Sequence, residues 1–150
     1  MSGTCIHDRD SPTNALSVDT TGALKAAPTS LYPSGATAIT ASSAVVADAA
    51  AVATLAAAVG KTTYISGFQI TSSGATGALV VNPTVVGTIT GTMNYTYAAV
   101  AGVALINTPL VVSFDPPIPA SATNTAIVVT LPALGTGNTD ATVAAHGFQL

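Results

Sequence analysis

Charged side chains are scarce in this sequence of 150 residues. Asp, Glu, Lys and Arg make up 6% of it, whereas an average soluble protein contains about 25%. The formal net charge is −3, and the three basic residues, Arg9, Lys25 and Lys61, lie far apart in the chain. Binding to nucleic acid requires clustered Lys and Arg, and so does attraction to an anionic membrane. The sequence therefore predicts neither of these partners.

A globule with so few charges is poorly protected against association, because solubility usually depends on a net charge well away from zero. The sequence allows two solutions to this problem. The surface can be covered by Ser, Thr, Asn and Gly, or much of it can be buried against copies of the chain or a larger assembly. Hydrophobic residues amount to 49%, which supplies enough apolar material for the core of one domain.

The chain also contains no tryptophan and a single cysteine, Cys5. One cysteine excludes an internal disulfide framework and any metal site with several Cys ligands. His7, Asp8 and Asp10 follow Cys5 closely, and all four are metal-ligating residue types. Short mixed clusters of this kind are common by chance, so we predict no metal and no other cofactor.

A run of alanine and valine, ADAAAVATLAAAVG, occupies residues 47–60. This run is shorter than the ~20 apolar residues that a membrane-spanning helix needs, and Asp48 interrupts it. Alanine favours a helix locally, whereas the alternation of small and larger residues favours a strand. We predict that Val52–Val59 is the first strand of the folded domain, with a helix over Ala44–Ala51 as the alternative.

The sequence after residue 60 is a series of segments rich in Thr and Val, separated by Gly, Pro, Asn and Asp. Such a series predicts an all-β fold over residues 61–150, an antiparallel sandwich or barrel. With the strand predicted in the alanine-rich run before it, the folded domain is predicted to span residues 44–150. Pro83 interrupts one segment and indicates an edge or a bulge. The predicted strand segments are 62–71, 78–87, 88–100, 108–114, 125–132 and 141–150.

Residues 1–43 are rich in Ser, Thr, Pro and Gly, with scattered apolar residues. Within them, NALSVDTTGALKA predicts a short hairpin of Ala15–Val18 and Ala23–Lys25. Because a lone two-stranded hairpin is marginally stable, we predict an extended arm that orders on a partner or a neighbouring copy. A plain disordered tail is the alternative. The arm residues predicted to make these contacts are Leu16, Val18, Leu24, Leu31 and Tyr32.

Catalytic motifs are missing. No G-x-S-x-G sequence positions a serine nucleophile for His146, and the other histidine, His7, lies at the opposite end of the chain. Asp115 and Asp140, the acids considered for glycoside hydrolysis, lie in the turn sequences DPP and NTD. VGKTTY contains GKT, but Leu55 stands where a phosphate-binding loop needs glycine. We therefore predict that the protein is not an enzyme.

Several stretches together resemble small jelly-roll or β-sandwich proteins of tailed-bacteriophage virions. These are the strand YISGF, the stretch PLVVSFDPPIPA before NTAIVVTLPA, the terminal GFQL, and the upstream LSVDTTG. The resemblance covers most of residues 14–150 and rests on strand spacing and composition. It implies a capsid decoration (cement) protein or a fibre or tail component, commonly a trimer.

We accordingly predict a homotrimeric decoration protein on the capsid exterior, bound to the major capsid protein through its N-terminal arm. Aromatic residues on the predicted strands favour core or intersubunit packing over a ligand platform. The alternative is a tail or fibre module that recognises a host glycan through exposed Tyr, Asn or Asp at loop tips such as Asn138–Asp140 or Asp115. The residues predicted at the trimer interface are Tyr64, Phe68, Tyr95, Tyr97 and Phe148.

Overall fold

A computed structural model describes residues 32–150 of the chain, which form ten β-strands and no helix. This part of the chain consequently contains no apolar helix long enough to cross a membrane. All strand pairs are antiparallel, so the prediction of an all-β antiparallel protein is confirmed. The strands are β1 (Thr37–Ser42), β2 (Ala51–Leu55), β3 (Thr63–Ser72), β4 (Leu79–Val81), β5 (Thr84–Thr88), β6 (Gly91–Asn94), β7 (Tyr97–Ala99), β8 (Leu110–Pro119), β9 (Ile127–Leu131) and β10 (Ala141–Gln149).

Two four-stranded sheets enclose the hydrophobic core. The first sheet has the strand order β1-β10-β3-β8, the second has the order β2-β9-β5-β6, and β4 and β7 form a separate ribbon. Alternate residues of each strand point inward, as the two-residue period of a strand requires. The largest fully buried apolar side chains are Leu55, Ile65, Phe68, Ile70, Val85, Ile127, Val129, Leu131, Leu134 and Val143.

The alanine-rich run forms a strand, but a shorter one than predicted. In β2, Ala51, Ala53 and Leu55 are buried, and the strand pairs with β9. It ends where the carbonyl of Ala56 turns away to accept hydrogen bonds from the side chains of other strands. Val59, predicted to end this strand, is 96% exposed in the following loop.

The start of the folded part also differs from the predicted boundary between an arm over 1–43 and a domain over 44–150. Residues Thr37–Ser42 form β1, which pairs along its whole length with β10. Their apolar residues are too few to predict a strand, and the pairing depends on a partner more than a hundred residues away. No helix forms over Ala44–Ala51, where Asp48 has a positive φ of 49°.

Several predicted strand segments are divided or extended. Segment 78–87 is split into β4 and β5 around Pro83, and segment 88–100 is split into β6 and β7. The Tyr95 amide between β6 and β7 donates to the Pro83 carbonyl at 2.8 Å, which joins the two breaks. Strand β8 continues through the proline-rich stretch to Pro119, where it pairs with Tyr64.

A β-bulge offsets the register between β3 and β10. His146 lies opposite Gly67, whereas Gly147 lies opposite Ile65, so that Ser66 is the extra residue. The two backbones come very close at this point, because a Cβ on Gly147 would collide with the carbonyl oxygen of Tyr64. Only glycine fits at this position of β10 without moving the central pair of strands.

Replacing Gly147 with alanine therefore tests the packing of the first sheet. We expect a loss of at least about 2 kcal/mol in the free energy of unfolding, because the added methyl group overpacks a backbone contact. Gly77→Ala is the matched control, since a Cβ there meets nothing within 4 Å, and its effect should stay within about 0.5 kcal/mol. Urea unfolding of both variants makes the comparison, and equal midpoints would contradict this account of the bulge.

Candidate interaction surface

Large apolar side chains are exposed together at one end of the two sheets. Val45, Val103, Leu105 and Ile106 are all well exposed, and Ile106 is 84% exposed. They line one open cleft of about 430 Å³ together with Asp140 and the polar residues at the adjoining ends of β3 and β10. We call this surface, formed by Val45, Val103, Leu105 and Ile106, the apolar end.

A buried hydrogen-bond network holds the loop that carries most of the apolar end. The Asn107 amide donates to Ser72 Oγ at 2.6 Å and to the Ser73 carbonyl at 2.9 Å. Its Oδ1 accepts the Val100 N–H at 2.9 Å. Ser72 Oγ also shares a hydrogen bond with the Tyr97 hydroxyl at 2.9 Å. One asparagine thus fixes both ends of the loop over residues 100–107 to the last residues of β3.

Backbone hydrogen bonds fix the middle of the same loop. The Gly74 amide donates to the Leu105 carbonyl and the Gly102 amide donates to the Ala75 carbonyl, both at 2.7 Å. A Cβ on Gly74 would meet the carbonyl oxygens of Gly102 and Val100, so the two segments need glycine there to come so close. The exposed apolar side chains are therefore carried on a backbone that is bonded at several points.

Asn138 forms a second connection beneath the apolar end. It is 1% exposed, and its amide donates to the Ser73 carbonyl at 2.8 Å. The main-chain carbonyl of Asn138 accepts a hydrogen bond from the main-chain N–H of Asp48 at 3.0 Å. This bond connects the loop that contains Val45. Of the loop-tip residues named in the glycan-binding hypothesis, Asn138 is buried and its amide donates within the protein, whereas Asp115 is exposed. Asp140 is exposed, and Thr139 Oγ1 donates to its carboxylate at 2.7 Å.

The charged groups near the apolar end are carboxylates. Asp140 lines the cleft, and Asp48 lies on the neighbouring loop next to Asn138. Within residues 32–150 the only Lys or Arg is Lys61, and it lies at the other end of the sheets. There its ammonium contacts Thr37 Oγ1 at 3.5 Å, and the adjacent Thr62 pairs with Leu150. The two ends are separated by the length of β10, about 30 Å at 3.4 Å per residue.

The aromatic residues predicted at a trimer interface lie largely in the interior of the chain itself. Phe68, Tyr97 and Phe148 are buried. Tyr64 stacks on Phe148 with ring centroids 4.7 Å apart, and Tyr95 meets Phe68 edge-on at 5.0 Å. Burial raises the pKa of the Tyr95 phenol. Phe68 and Tyr97 belong to the core, whereas Tyr64 and Tyr95 stay partly exposed, so contact of these two with another copy remains a prediction.

Of the predicted arm residues, Tyr32 lies in the described part of the chain. Its ring packs against Phe148 at a centroid distance of 5.2 Å, beside the start of β1. Leu16, Val18, Leu24 and Leu31 lie outside the described residues. The predicted hairpin lies outside them as well.

The structure does not assemble the catalytic groups considered from the sequence. His146 is exposed on the outer face of β10, Asp115 lies on β8, and Asp140 precedes β10 at the apolar end. In residues 32–150 no group of three or more His, Cys, Asp or Glu side chains is arranged to hold a metal ion. The cluster that begins at Cys5 lies outside these residues.

Sequence reasoning did not identify the apolar end. Val103, Leu105 and Ile106 occur between two predicted strands in AGVALINT, a segment whose apolar residues look like core residues. The sequence offered one signal for an exposed loop here: the apolar segment is followed directly by Asn107 and then by Pro109, which are typical loop residues. It could not be distinguished from a short strand without knowing that Asn107 turns inward.

Replacing Asn107 with alanine should loosen the apolar end and destabilise the protein. The change removes three hydrogen bonds: the one that pairs the Val100 amide, and one of two each at Ser72 Oγ and the Ser73 carbonyl. At about 1 kcal/mol for each bond, we expect a loss of about 3 kcal/mol. Asn94→Ala, at an exposed position on the edge strand β6, is the control and should change stability by less than about 0.5 kcal/mol. Chemical denaturation gives the stabilities, and limited proteolysis should detect earlier cleavage within residues 100–107. Equal stability of the two variants would contradict the role of this network.

We compared the chain with protein-family models, curated proteins and solved structures, and none of the three comparisons found a match.

Proposed function

We propose that the protein is a structural protein of a bacteriophage virion that decorates and stabilises the outer surface of the capsid. The main support is the order of the strands. Apart from the β4-β7 ribbon, eight strands follow the chain through the sheets in the order first, second, first, second, second, first, second, first. We infer a jelly roll from this order, because it fits the two Greek keys of that architecture, which occurs in viral capsid and lectin domains.

The surface chemistry favours the structural role over the lectin role, since a fold alone does not specify a function. Monomeric proteins rarely expose large contiguous apolar patches, and patches above a few hundred Å² mark interaction sites. The apolar end presents aliphatic side chains, with Asn138 buried beneath them. A protein that binds by apolar contact needs such a surface, whereas a glycan site needs exposed polar and aromatic groups.

The partner that we propose is the major capsid protein, contacted on the virion exterior. Buried apolar area stabilises such a contact by roughly 25 cal/mol per Å² before the costs of association. A capsid repeats the same binding position many times, and copies held together bind with avidity that exceeds the affinity of each contact. A charge-poor subunit suits this arrangement because much of its surface is covered in the assembly.

We propose that the subunits form a homotrimer, which is supported by an uncharged face rather than by the buried aromatic residues. Ser42, Ala144, Gln69 and Val111 lie side by side across β1, β10, β3 and β8. None of these four residues carries a charge, so copies of the chain can approach across them without electrostatic repulsion. Asp115 lies on the same face of β8, four residues further along the strand.

Light scattering coupled to size-exclusion chromatography tests the oligomer. We expect a trimeric mass for the unmodified protein and a smaller mass for Gln69→Arg, because the variant places like charges on the uncharged face of every copy. Thr92→Arg adds the same charge to an exposed position on β6 and should remain trimeric. A monomeric mass for the unmodified protein would contradict the trimer.

The N-terminal arm is proposed to add contacts with the capsid or with neighbouring subunits through Leu16, Val18, Leu24 and Leu31. Tyr32 packs on Phe148, so the chain enters the folded domain at the end opposite the apolar end. Thirty-one residues can reach up to about 100 Å when fully extended, which is enough to pass beyond one domain. Because β1 belongs to the first sheet, a deletion that tests the arm should stop at residue 31.

Particles stripped of this protein provide the direct test of the function. We expect purified protein to bind them again at saturable, regularly spaced positions, and the variant lacking residues 1–31 to bind at least tenfold more weakly. The melting temperature of the truncated domain, measured alongside, controls for loss of fold. Binding at a tail vertex alone, or a specific signal on a glycan array without capsid binding, would reject the decoration function.

A further inference from the structure

We propose that the apolar end is the surface of the folded domain that docks on the capsid, and that its partner surface has an apolar centre bordered by Lys or Arg. This inference rests on the proposed decoration function for the identity of the partner. Beyond that function, the inference states which end of the domain faces the shell and which chemical groups the shell presents there.

The apolar end is concave. Leu105, Ile106, Val45 and Val103 surround an open cleft instead of lying singly on the surface. A cleft of about 430 Å³ is large enough to receive one or two aliphatic side chains of a partner. Burying exposed aliphatic side chains against such groups is the main source of affinity in protein interfaces.

The apolar end is also held in place before a partner binds. Asn107 and Asn138 connect its loops to the end of β3, and the Leu105 carbonyl accepts a backbone hydrogen bond from Gly74. A surface fixed in this way loses little conformational entropy when a partner binds. Every hydrogen-bonding group of the Asn107 side chain is used, so the exposed loop above it is held by a satisfied buried amide.

The charged groups around the cleft limit which partners can bind there. Asp140 lies in the wall of the cleft and Asp48 lies beside it, while Lys61, the only Lys or Arg of residues 32–150, is about 30 Å away along β10. An anionic partner, including an anionic lipid surface, would be repelled by the two carboxylates. A partner with Lys or Arg around an apolar centre would pair with both. These charges therefore favour a protein surface of that composition.

The opposite end of the domain provides a natural comparison. Val59, Ile89 and Leu150 are exposed there, and Ile89 is 66% exposed. Thr63 and Gln149 bond the carbonyl of Ala56 at this end, and the nearby Lys61 has the opposite sign of charge. Exposed aliphatic residues thus occur at both ends, but the cleft, the asparagine network and the carboxylates occur together at the apolar end.

Two matched variants test which end docks. Ile106→Asp and Ile89→Asp make the same change at exposed positions on opposite ends, so both should leave the fold intact. Binding to stripped capsids should weaken at least a hundredfold for Ile106→Asp and less than threefold for Ile89→Asp. The reverse order, or equal binding by Ile106→Asp and the unmodified protein, would overturn the proposed docking end. Failure of the unmodified protein to bind capsids would instead reject the decoration function.

Charge reversal at the cleft tests the chemistry of the partner. With the same stripped capsids, Asp140→Lys should bind at least threefold more weakly than the unmodified protein at low ionic strength. The difference should shrink as salt is added, since salt screens exposed charges. Thr92→Lys, at an exposed position on β6 away from both the cleft and the uncharged face, is the control and should bind normally. Tighter binding by Asp140→Lys would show an acidic partner surface and overturn the Lys or Arg border.

Discussion

The hydrogen bonds of Asn107 are the interaction on which the proposed docking surface depends. Its amide and carbonyl link the end of β3 to both ends of the loop that carries Leu105 and Ile106. Without these bonds the loop would be a mobile apolar segment, which would tend to collapse onto the domain or aggregate. With them, the apolar side chains remain exposed in a fixed arrangement. A buried polar group thus determines the behaviour of an exposed apolar surface.

The two-layer fold supplies the frame for this arrangement. Antiparallel strands about 30 Å long place the apolar end and the entry of the N-terminal residues at opposite ends of one domain. The faces between them are poor in charge, so the domain can be surrounded by neighbours without repulsion. Under the proposed function, the cleft would face the shell, the uncharged face would meet other copies, and the arm would add a separate contact. Each role belongs to a different part of the chain.

Much of the fold could be predicted from the sequence, because the two-residue period of Thr and Val between turn residues is a local signal. The limits of β1 and β2 could not, since β1 exists through pairing with β10 and β2 ends where side chains of β3 and β10 capture Ala56. The candidate surface was missed for the same kind of reason. An aliphatic residue such as Ile106 resembles a core residue until the inward turn of Asn107 leaves it outside. Conversely, Phe68 and Phe148 appeared available for an interface, although long-range packing buries them.

The orientation of the domain on the capsid determines whether the apolar end docks as proposed. An electron cryomicroscopy map of decorated particles, at a resolution that distinguishes the two ends of the domain, measures this directly. We expect the loop containing Leu105 and Ile106 to contact the shell, with basic side chains of the capsid protein close to Asp140 and Asp48. A map in which Val59 and Ile89 contact the shell, or in which the domain is confined to the tail, would contradict it.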